Sequence, residues 1–299
     1  MPHRARLYLG LIRFSHTVFA LPFALTAALL AWQREPFRWL DLVGVLACMV
    51  TARSAAMAFN RLADRDIDGK NPRTAGRHLP AGSLSVAAVT LFTVVTAVAF
   101  LAATGLFLLR EPPNPWPAYL SLPVLGVVLA YSLTKRFTSL AHFWLGVALA
   151  LAPVAAWVAI RGVTSLDDLT PPLVLGTAVL FWVSGFDVLY ACQDADFDRA
   201  AGLHSLPARL GVRGALRLAA GCHAVTFATL VAFGLVTPEL GTLYFVGLVP
   251  IGALLAYQHA IVSPTDLRRV NEAFFKVNAV ISFGLLALVA AQLALSARP

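Results

Sequence analysis

Nine apolar stretches, each long enough to cross a lipid bilayer, dominate this chain of 299 residues. Hydrophobic residues make up 59% of it and charged residues 13%, and the mean hydropathy is +0.76. Because a water-soluble domain of this size could not bury so much apolar surface, lipid is the expected solvent. The sequence therefore predicts an all-α, multi-pass membrane protein with nine transmembrane helices in one bundle, forming a single domain over residues 1–299. The stretches are 14–33, 40–59, 84–109, 117–134, 139–160, 171–192, 214–236, 241–262 and 274–296.

Lys and Arg residues are distributed unequally between the two sides of the predicted bundle. Fifteen of the 23 belong to the N-terminus and the loops after the even-numbered stretches, two more (Arg217 and Lys276) lie in the first turn of the stretches that begin on that side, and five belong to the opposite side. Cytoplasmic loops are enriched in these residues. We therefore expect the N-terminus and the even loops on the cytoplasmic side of a bacterial inner membrane, and the C-terminus outside. The net charge of +8 suits an anionic lipid surface. The basic residues form no recognition motif, so nucleic acid is not an expected partner.

Two short acidic strings follow the second and the sixth apolar stretch. The segments 64–68 (Asp-Arg-Asp-Ile-Asp) and 194–198 (Asp-Ala-Asp-Phe-Asp) contain six of the fifteen acidic residues. Both lie at the C-terminal ends of predicted helices, where the helix dipole disfavours each carboxylate by roughly 0.3–1 kcal/mol. Carboxylates crowded in this way are typical of a site that a divalent cation or a cationic substrate neutralises.

The two strings also match each other at an offset of 130 residues, or four helices. This predicts a duplicated four-helix unit with a ninth helix added, whose two strings face one cavity on the pseudo-symmetry axis. If the helices continue through the strings, one helical face carries Asn60, Asp64 and Asp68 in one half, and Asp187, Asp194 and Asp198 in the other. Asp66 and Asp196 are expected to point elsewhere. Two or three oxygen ligands per half suit two Mg²⁺ ions that bridge a substrate diphosphate.

These motifs resemble those of the UbiA-type intramembrane prenyltransferases. Asn60-x3-Asp64-x3-Asp68 is similar to the first aspartate-rich motif of the family, and Asp194-x3-Asp198 is similar to the second. Residues 131–138 (Tyr-Ser-Leu-Thr-Lys-Arg-Phe-Thr) resemble the basic loop after the fourth helix, and the nine-helix layout agrees. Two positions depart from the family pattern: Arg61 stands where many members have Asp, and His204 where many have Lys.

The resemblance implies a magnesium-dependent polyprenyltransferase of ubiquinone or menaquinone biosynthesis. The expected substrates are a polyprenyl diphosphate and a small aromatic acid, which react by diphosphate ionisation and ring alkylation. The first expected acceptor is 4-hydroxybenzoate, and the alternative is 1,4-dihydroxy-6-naphthoate of the futalosine menaquinone pathway. The expected metal ligands are Asn60, Asp64, Asp68, Asp194 and Asp198. The expected catalytic residues are Asp64, Asp68, Asp187, Asp194 and Asp198.

Other polar residues supply candidates for substrate binding. Arg53 is a charge within an apolar stretch, and we expect it to hold the carboxylate of the acceptor or the diphosphate. Asp187 is expected to orient the phenol or a cationic partner, with an ion pair to Arg53 as the structural alternative. His142, His223 and His259 lack ligand spacing and are expected in helix contacts. The substrate-binding candidates are Arg13, Arg53, Arg61, Arg65, Tyr131, Lys135, Arg136 and Tyr190.

Two further classes of protein stay open at this point. A cation-coupled transporter could bind ions at the same acids, but transporters place such sites near the bilayer midplane. Here the acids lie at an edge rich in Lys and Arg, which suits a phosphate better. Alcohol phosphotransferases of phospholipid synthesis carry a signature similar to Asp-x2-Asp-Gly-x2-Ala-Arg. The chain has Asp68-Gly69 but no Ala-Arg at the matching place.

Overall fold

A computed structural model of the protein describes residues 3–12 and 19–296. Its regular elements are helices, and the described residues add only an isolated antiparallel bridge between Ser263 and Asp266. The all-α prediction is confirmed. The α-helices are α1 His3–Leu11, α2 Leu21–Ala31, α3 Trp39–Ala63, α4 Arg65–Lys70, α5 Val86–Thr104, α6 Trp116–Thr134, α7 Ala141–Arg161, α8 Leu166–Ala191, α9 Ala195–Ala200, α10 Leu206–Val236, α11 Thr242–Ala260, α12 Val270–Glu272 and α13 Asn278–Ser296. Short segments of 3-10 or π geometry are Gly105–Leu109, Cys192–Asp194 and Ala273–Val277.

Eight helical segments of the described chain have the length and composition to span a membrane, and α2 is a shorter apolar helix of 11 residues. Together they coincide with the nine predicted stretches, so the multi-pass membrane fold is confirmed. The helix α2 covers only part of the stretch 14–33, and residues 13–18 lie outside the described residues. Large apolar side chains such as Leu91, Val98 and Val249 are exposed on the helices, as a lipid-facing surface requires.

The chain divides into two compact units, residues 1–17 with 38–133 and residues 18–37 with 134–299. In the first unit α3 packs along α5, and a cluster of Ala55, Phe100 and Leu125 joins α3, α5 and α6. The single domain over residues 1–299 stays a prediction.

In the second unit, α8 packs against both α7 and α10. The contact between α7 and α8 is very close: a Cβ atom on Gly146 would lie 2.5 Å from the carbonyl oxygen of Leu180 and 2.5 Å from Oγ of Ser184. On α8, one turn before Leu180, a Cβ atom on Gly176 would lie 3.0 Å from the carbonyl oxygen of Ala150 on α7. Small residues of this kind let membrane helices approach until their backbones touch. The glycines therefore determine which side chains of α7 and α8 can meet.

A network of charged side chains connects the ends of α2, α7 and α8 within the second unit. The carboxylate of Asp168 accepts hydrogen bonds from Arg161 at 3.0 Å, from Arg34 at 3.3 Å and from the indole of Trp157 at 3.2 Å. Arg34 also donates to Glu239 at 2.8 Å, and this hydrogen bond raises the pKa of Arg34. Because the Asp168 side chain is 9% exposed, it is the largely buried counter-charge for two arginines.

We expect Asp168→Ala to lower the free energy of unfolding by about 3 kcal/mol, because two guanidinium groups lose a buried partner. Thermal unfolding of the purified protein in detergent measures the loss. Asp167→Ala is the matched control, since Asp167 also lies in the first turn of α8 but is exposed. Any contribution from the helix dipole is therefore common to both variants. Equal melting temperatures for the two variants would contradict the assigned role of the network.

The three histidines expected in helix contacts are all found there. His223 of α10 and His259 of α11 lie 2.8 Å apart, Nδ1 to Nε2, and His142 of α7 contacts α8. Each imidazole also has a specific polar partner, which the sequence analysis did not predict. These partners come from other helices, so spacing along the chain does not reveal them.

Candidate functional site

The first aspartate motif lies at a junction between two helices. The helix α3 ends at Ala63, Asp64 occupies the junction with φ −93° and ψ 5°, and α4 begins at Arg65. The Asn60 amide donates a hydrogen bond to the Asp64 carboxylate at 3.1 Å. The contact expected from the spacing is therefore present between Asn60 and Asp64. The helix is interrupted before Asp68, so the continuous helical face that the spacing suggests is not formed.

Asp68 is paired with arginine. Both of its carboxylate oxygens accept from Nη1 of Arg77, at 2.7 and 2.8 Å, and Nη1 of Arg61 lies 3.9 Å from Oδ2. Asp68 is only 3% exposed, so this charge is neutralised inside the protein. Arg77 approaches from the loop after α4, and helical spacing therefore cannot predict it. Asp68 as a metal ligand stays a prediction, in which an ion would share the carboxylate with Arg77.

The basic residues of the first motif differ in their surroundings. Arg61 is buried, whereas Arg65 is exposed and donates to the exposed Asp66 at 3.0 Å. Arg65 and Lys70 line an open surface depression of about 580 Å³. Burial, followed by the charge of Arg61, lowers the pKa of His78. Arg61 is therefore the buried fixed positive charge beside this motif.

The second aspartate motif repeats the local structure of the first. The helix α8 ends at Ala191 and a 3-10 turn leads to Asp194, which has φ −103° and ψ 5°. A six-residue helix follows each junction, α4 after Asp64 and α9 after Asp194. The side chains of Asp66 and Asp196 are 79% and 99% exposed, so both point into solvent as the spacing predicts. This correspondence supports the predicted duplication.

Asp198 lies in a mixed electrostatic environment within the second unit. Its side chain hydrogen-bonds with Ser205, and it is close enough to Asp194 for the two carboxylates to repel each other. Lys135 supplies an opposing positive charge. The loop that carries Lys135 is tied to this motif, since the Lys135 carbonyl accepts a hydrogen bond from the His204 amide at 2.9 Å. Two neighbouring carboxylates beside a lysine form a place where a cation and a phosphate can be bound together.

Asp187 has a partner that the sequence did not indicate. Its Oδ2 atom lies 2.7 Å from Nδ1 of His142, which projects from α7. Asp187 lies on α8, seven residues before Asp194, which follows the end of that helix, so Asp187 lies deeper in the predicted membrane. Tyr190, one turn further along α8, packs against the ring of Phe274 with centroids 4.3 Å apart.

The other predicted substrate-binding residues occupy different environments. The Nε atom of Arg53 is buried and has no hydrogen-bond partner in the described part of the chain. Tyr131 is half-buried near the end of α6, and Arg136 is exposed just beyond it. Arg13 lies outside the described residues. Arg53 is thus a guanidinium group within an apolar helix.

No group of three or more His, Cys, Asp or Glu side chains forms a metal cage within residues 3–12 and 19–296. Each unit instead supplies a pair of oxygen donors, Asn60 with Asp64 in the first and Asp194 with Asp198 in the second. Mg²⁺ prefers oxygen ligands, keeps several waters, and is usually bound by one or two carboxylates together with substrate phosphates. The donor pairs therefore fit Mg²⁺ and do not resemble a closed zinc site.

The membrane-spanning helices and the two matching aspartate junctions define an integral membrane protein with oxygen-donor sites at helix ends. The profile described as the UbiA prenyltransferase family matches residues 20–280. The chain belongs to this family, and its membership supports transferase activity.

Known relatives match nearly the full length of the chain. It is 30% identical over 292 residues to a 4-hydroxybenzoate octaprenyltransferase of Aromatoleum aromaticum, which covers 96% of this chain and 94% of the relative. A 4-hydroxybenzoate octaprenyltransferase of Vibrio cholerae is 33% identical over 283 residues, covering 93% and 94%. The apo structure of a UbiA homologue from Aeropyrum pernix K1 has a TM-score of 0.80 at 33% identity, covering 94% of this chain and 98% of that one. A UbiA homologue from Archaeoglobus fulgidus bound to GPP and Mg²⁺ has a TM-score of 0.69 at 19% identity, covering 96% and 99%, and this likeness shows the fold.

Proposed function

We propose that this protein transfers a polyprenyl chain from a polyprenyl diphosphate to a ring carbon of 4-hydroxybenzoate, in quinone biosynthesis and with Mg²⁺ as the cofactor. Relatives named 4-hydroxybenzoate octaprenyltransferase, which match nearly the whole chain, support the choice of acceptor. The structure of a homologue with GPP and Mg²⁺ supports the choice of donor and metal. The acceptor 1,4-dihydroxy-6-naphthoate is retained as the alternative.

The observation that carries the proposal is the repeated junction that holds Asp64 in one unit and Asp194 in the other. Two carboxylates held in the same local geometry favour a common role for both motifs. When bound, Mg²⁺ would neutralise the diphosphate and so make it a better leaving group. The residues proposed to hold the metal are Asn60, Asp64, Asp68, Asp194 and Asp198, and the expected number of ions is two.

Basic side chains near the motifs are proposed to bind the remaining charge of the diphosphate. Arg61 is buried and Lys135 half-buried, so both present positive charge where water is partly excluded. Hydrogen bonds from such cations to phosphate oxygens are stronger than neutral ones. Arg65 and Arg136 are exposed and are proposed to attract the diphosphate from the solvent side.

The deeper polar residues are proposed to bind the aromatic acceptor. Arg53 would bind its carboxylate, because its Nε atom is buried without a hydrogen-bond partner in the described part of the chain and would be stabilised by pairing with an anion. Asp187 would accept a proton from the acceptor, and Tyr190 would contact the aromatic ring of the acceptor. From the Lys and Arg distribution, we propose that both junctions face the cytoplasm of a bacterial inner membrane, with the C-terminus outside.

A product assay tests the proposed function directly. The purified protein in detergent receives Mg²⁺, polyprenyl diphosphates of several lengths and, in separate reactions, 4-hydroxybenzoate or 1,4-dihydroxy-6-naphthoate. Mass spectrometry should detect the prenylated 4-hydroxybenzoate, and EDTA should abolish its formation. If only the naphthoate is prenylated, the assigned acceptor becomes 1,4-dihydroxy-6-naphthoate. Ion-driven uptake into vesicles without any prenylated product would instead support a transporter.

We expect Arg53→Gln to raise KM for 4-hydroxybenzoate about 10- to 100-fold, because a charged hydrogen bond contributes ~1.5–3 kcal/mol. KM for the polyprenyl diphosphate should stay within about twofold of the wild-type value, since the residues proposed to bind the diphosphate are unchanged in this variant. Steady-state kinetics with each substrate varied in turn measures the difference. A phenol without the carboxylate is the control acceptor, and with it the wild-type and the variant should be equally poor. Equal increases for both substrates would reassign Arg53 to packing.

A further inference from the structure

The contact between His142 and Asp187 is a polar interaction of the α7–α8 interface that the proposed roles leave unexplained. The two atoms, Nδ1 and Oδ2, are 2.7 Å apart. Both residues belong to the second unit and face each other from α7 and α8. A carboxylate only accepts hydrogen bonds, so the imidazole donates its Nδ1–H. In the neutral tautomer this leaves Nε2 as an acceptor.

The surrounding structure holds the imidazole in place. His142 is 6% exposed, and its Nε2 atom is buried without a hydrogen-bond partner in the described part of the chain. On the same interface, the contact of Gly146 with α8 limits how far the two helices can separate. Ser184 donates to the His142 carbonyl at 3.4 Å. The imidazole is therefore rigidly placed, and its only side-chain hydrogen bond in the described residues goes to Asp187.

Asp187 itself is less enclosed than its partner, since its side chain is 20% exposed compared with 8% for that of His142. It lies about 10 Å from Asp194, given the helical rise over the last turn of α8 and the 3-10 turn that follows. At this distance the Asp187 carboxylate is separate from the residues proposed to bind the diphosphate. It lies at the depth in the membrane where the ring of the acceptor would be bound. The buried imidazole behind it resembles the arrangement in which a second group orients a catalytic base.

We propose that His142 is a positioning residue that holds Asp187 as the base for the aromatic acceptor, an inference that rests on the proposed function. The allylic carbon–oxygen bond breaks and its electron pair leaves with the diphosphate. A ring π-electron pair then forms the new carbon–carbon bond. The ring proton passes to Oδ1 of Asp187, which restores aromaticity, while His142 keeps Oδ2 in its hydrogen bond and so fixes the direction of Oδ1.

A double-mutant cycle tests this role by product formation and steady-state kinetics. His142→Phe should lower kcat about 10²-fold, the lower limit for general base catalysis, with KM for both substrates within about twofold. His142→Asn should recover most of the rate, because its amide can donate in place of Nδ1–H. In the Asp187→Asn background, His142→Phe should cause no further loss, since residues that act as a unit are not additive. Thr177→Ala should keep the wild-type rate, because Thr177 is exposed on α8 and its hydroxyl donates to Leu173 of the same helix.

The possible outcomes distinguish a failure of the positioning role of His142 from a failure of the proposed function. An additive loss in the double variant, or equal rates for His142→Phe and His142→Asn, would overturn the positioning role while leaving the prenyl transfer of the wild-type intact. A neighbouring alternative is that His142 acts on Asp198, to which it is electrostatically coupled; this alternative predicts the additive result. Wild-type protein that prenylates neither acceptor would overturn the proposed function and the role of His142 together. Melting temperatures of all variants in detergent verify that each is folded.

Discussion

Asp64→Ala should lower the rate of prenyl transfer at least about 10³-fold, a loss of ~4 kcal/mol of transition-state stabilisation. Asp64 is 3% exposed at the α3–α4 junction and accepts from Asn60. Under the proposed function, loss of this carboxylate would remove one of the few protein ligands that this unit offers to Mg²⁺, and the diphosphate would stay a poor leaving group. The loss should be measured as diphosphate release and product formation at saturating Mg²⁺, and Asp194→Ala should give a loss of similar size.

The structure supplies a matched control for each variant two residues further along. Asp66 and Asp196 belong to the same motifs and carry the same charge, but their side chains are 79% and 99% exposed. Asp66→Ala and Asp196→Ala should therefore stay within about threefold of the wild-type rate, as expected for exposed positions. If Asp66→Ala were as damaging as Asp64→Ala, net acidity rather than metal ligation would explain the motif. Wild-type rates in Asp64→Ala would refute the assignment of the ligand.

Gly146→Ala should lower the free energy of unfolding by about 3 kcal/mol, the upper part of the range for overpacked cores. The added Cβ atom would lie 2.5 Å from the carbonyl oxygen of Leu180 and 2.5 Å from Oγ of Ser184. A backbone carbonyl inside a helix cannot move aside as the end of a flexible side chain can. The two helices must therefore separate, and the contact between His142 and Asp187 should be lost with the close packing. Thermal unfolding in detergent and the rate of prenyl transfer should both fall.

Gly284→Ala is the control for this variant. Gly284 lies in α13 of the same unit, and nothing lies within 4 Å of the position its Cβ atom would take. Alanine is favoured over glycine in a helix by about 1 kcal/mol, so this variant should be as stable as the wild-type or more stable. Comparable losses in both variants would show that these helices tolerate any added side chain poorly. The close packing of α7 against α8 would then not explain the effect of Gly146→Ala.

Much of the fold and part of the site could be predicted because the signals are local. A span of apolar residues specifies a membrane helix regardless of its neighbours, since lipid is the common solvent. The contact between Asn60 and Asp64 follows from spacing within one helix. The exposure of Asp66 and Asp196 follows from the same periodicity. The break at Asp64 could not be predicted, because no Pro or Gly marks it in the sequence.

By itself, the sequence determined the membrane class, the positions of the helices and the two acidic motifs, because hydrophobicity and helical spacing act between residues close along the chain. Only the tertiary structure decided that Asp68 pairs with Arg77 and that Asp187 pairs with His142. Such partners depend on how far one helix is rotated against another and on how closely their backbones approach. For α7 and α8 that approach is decided at Gly146, where the space is too small for a single methyl group.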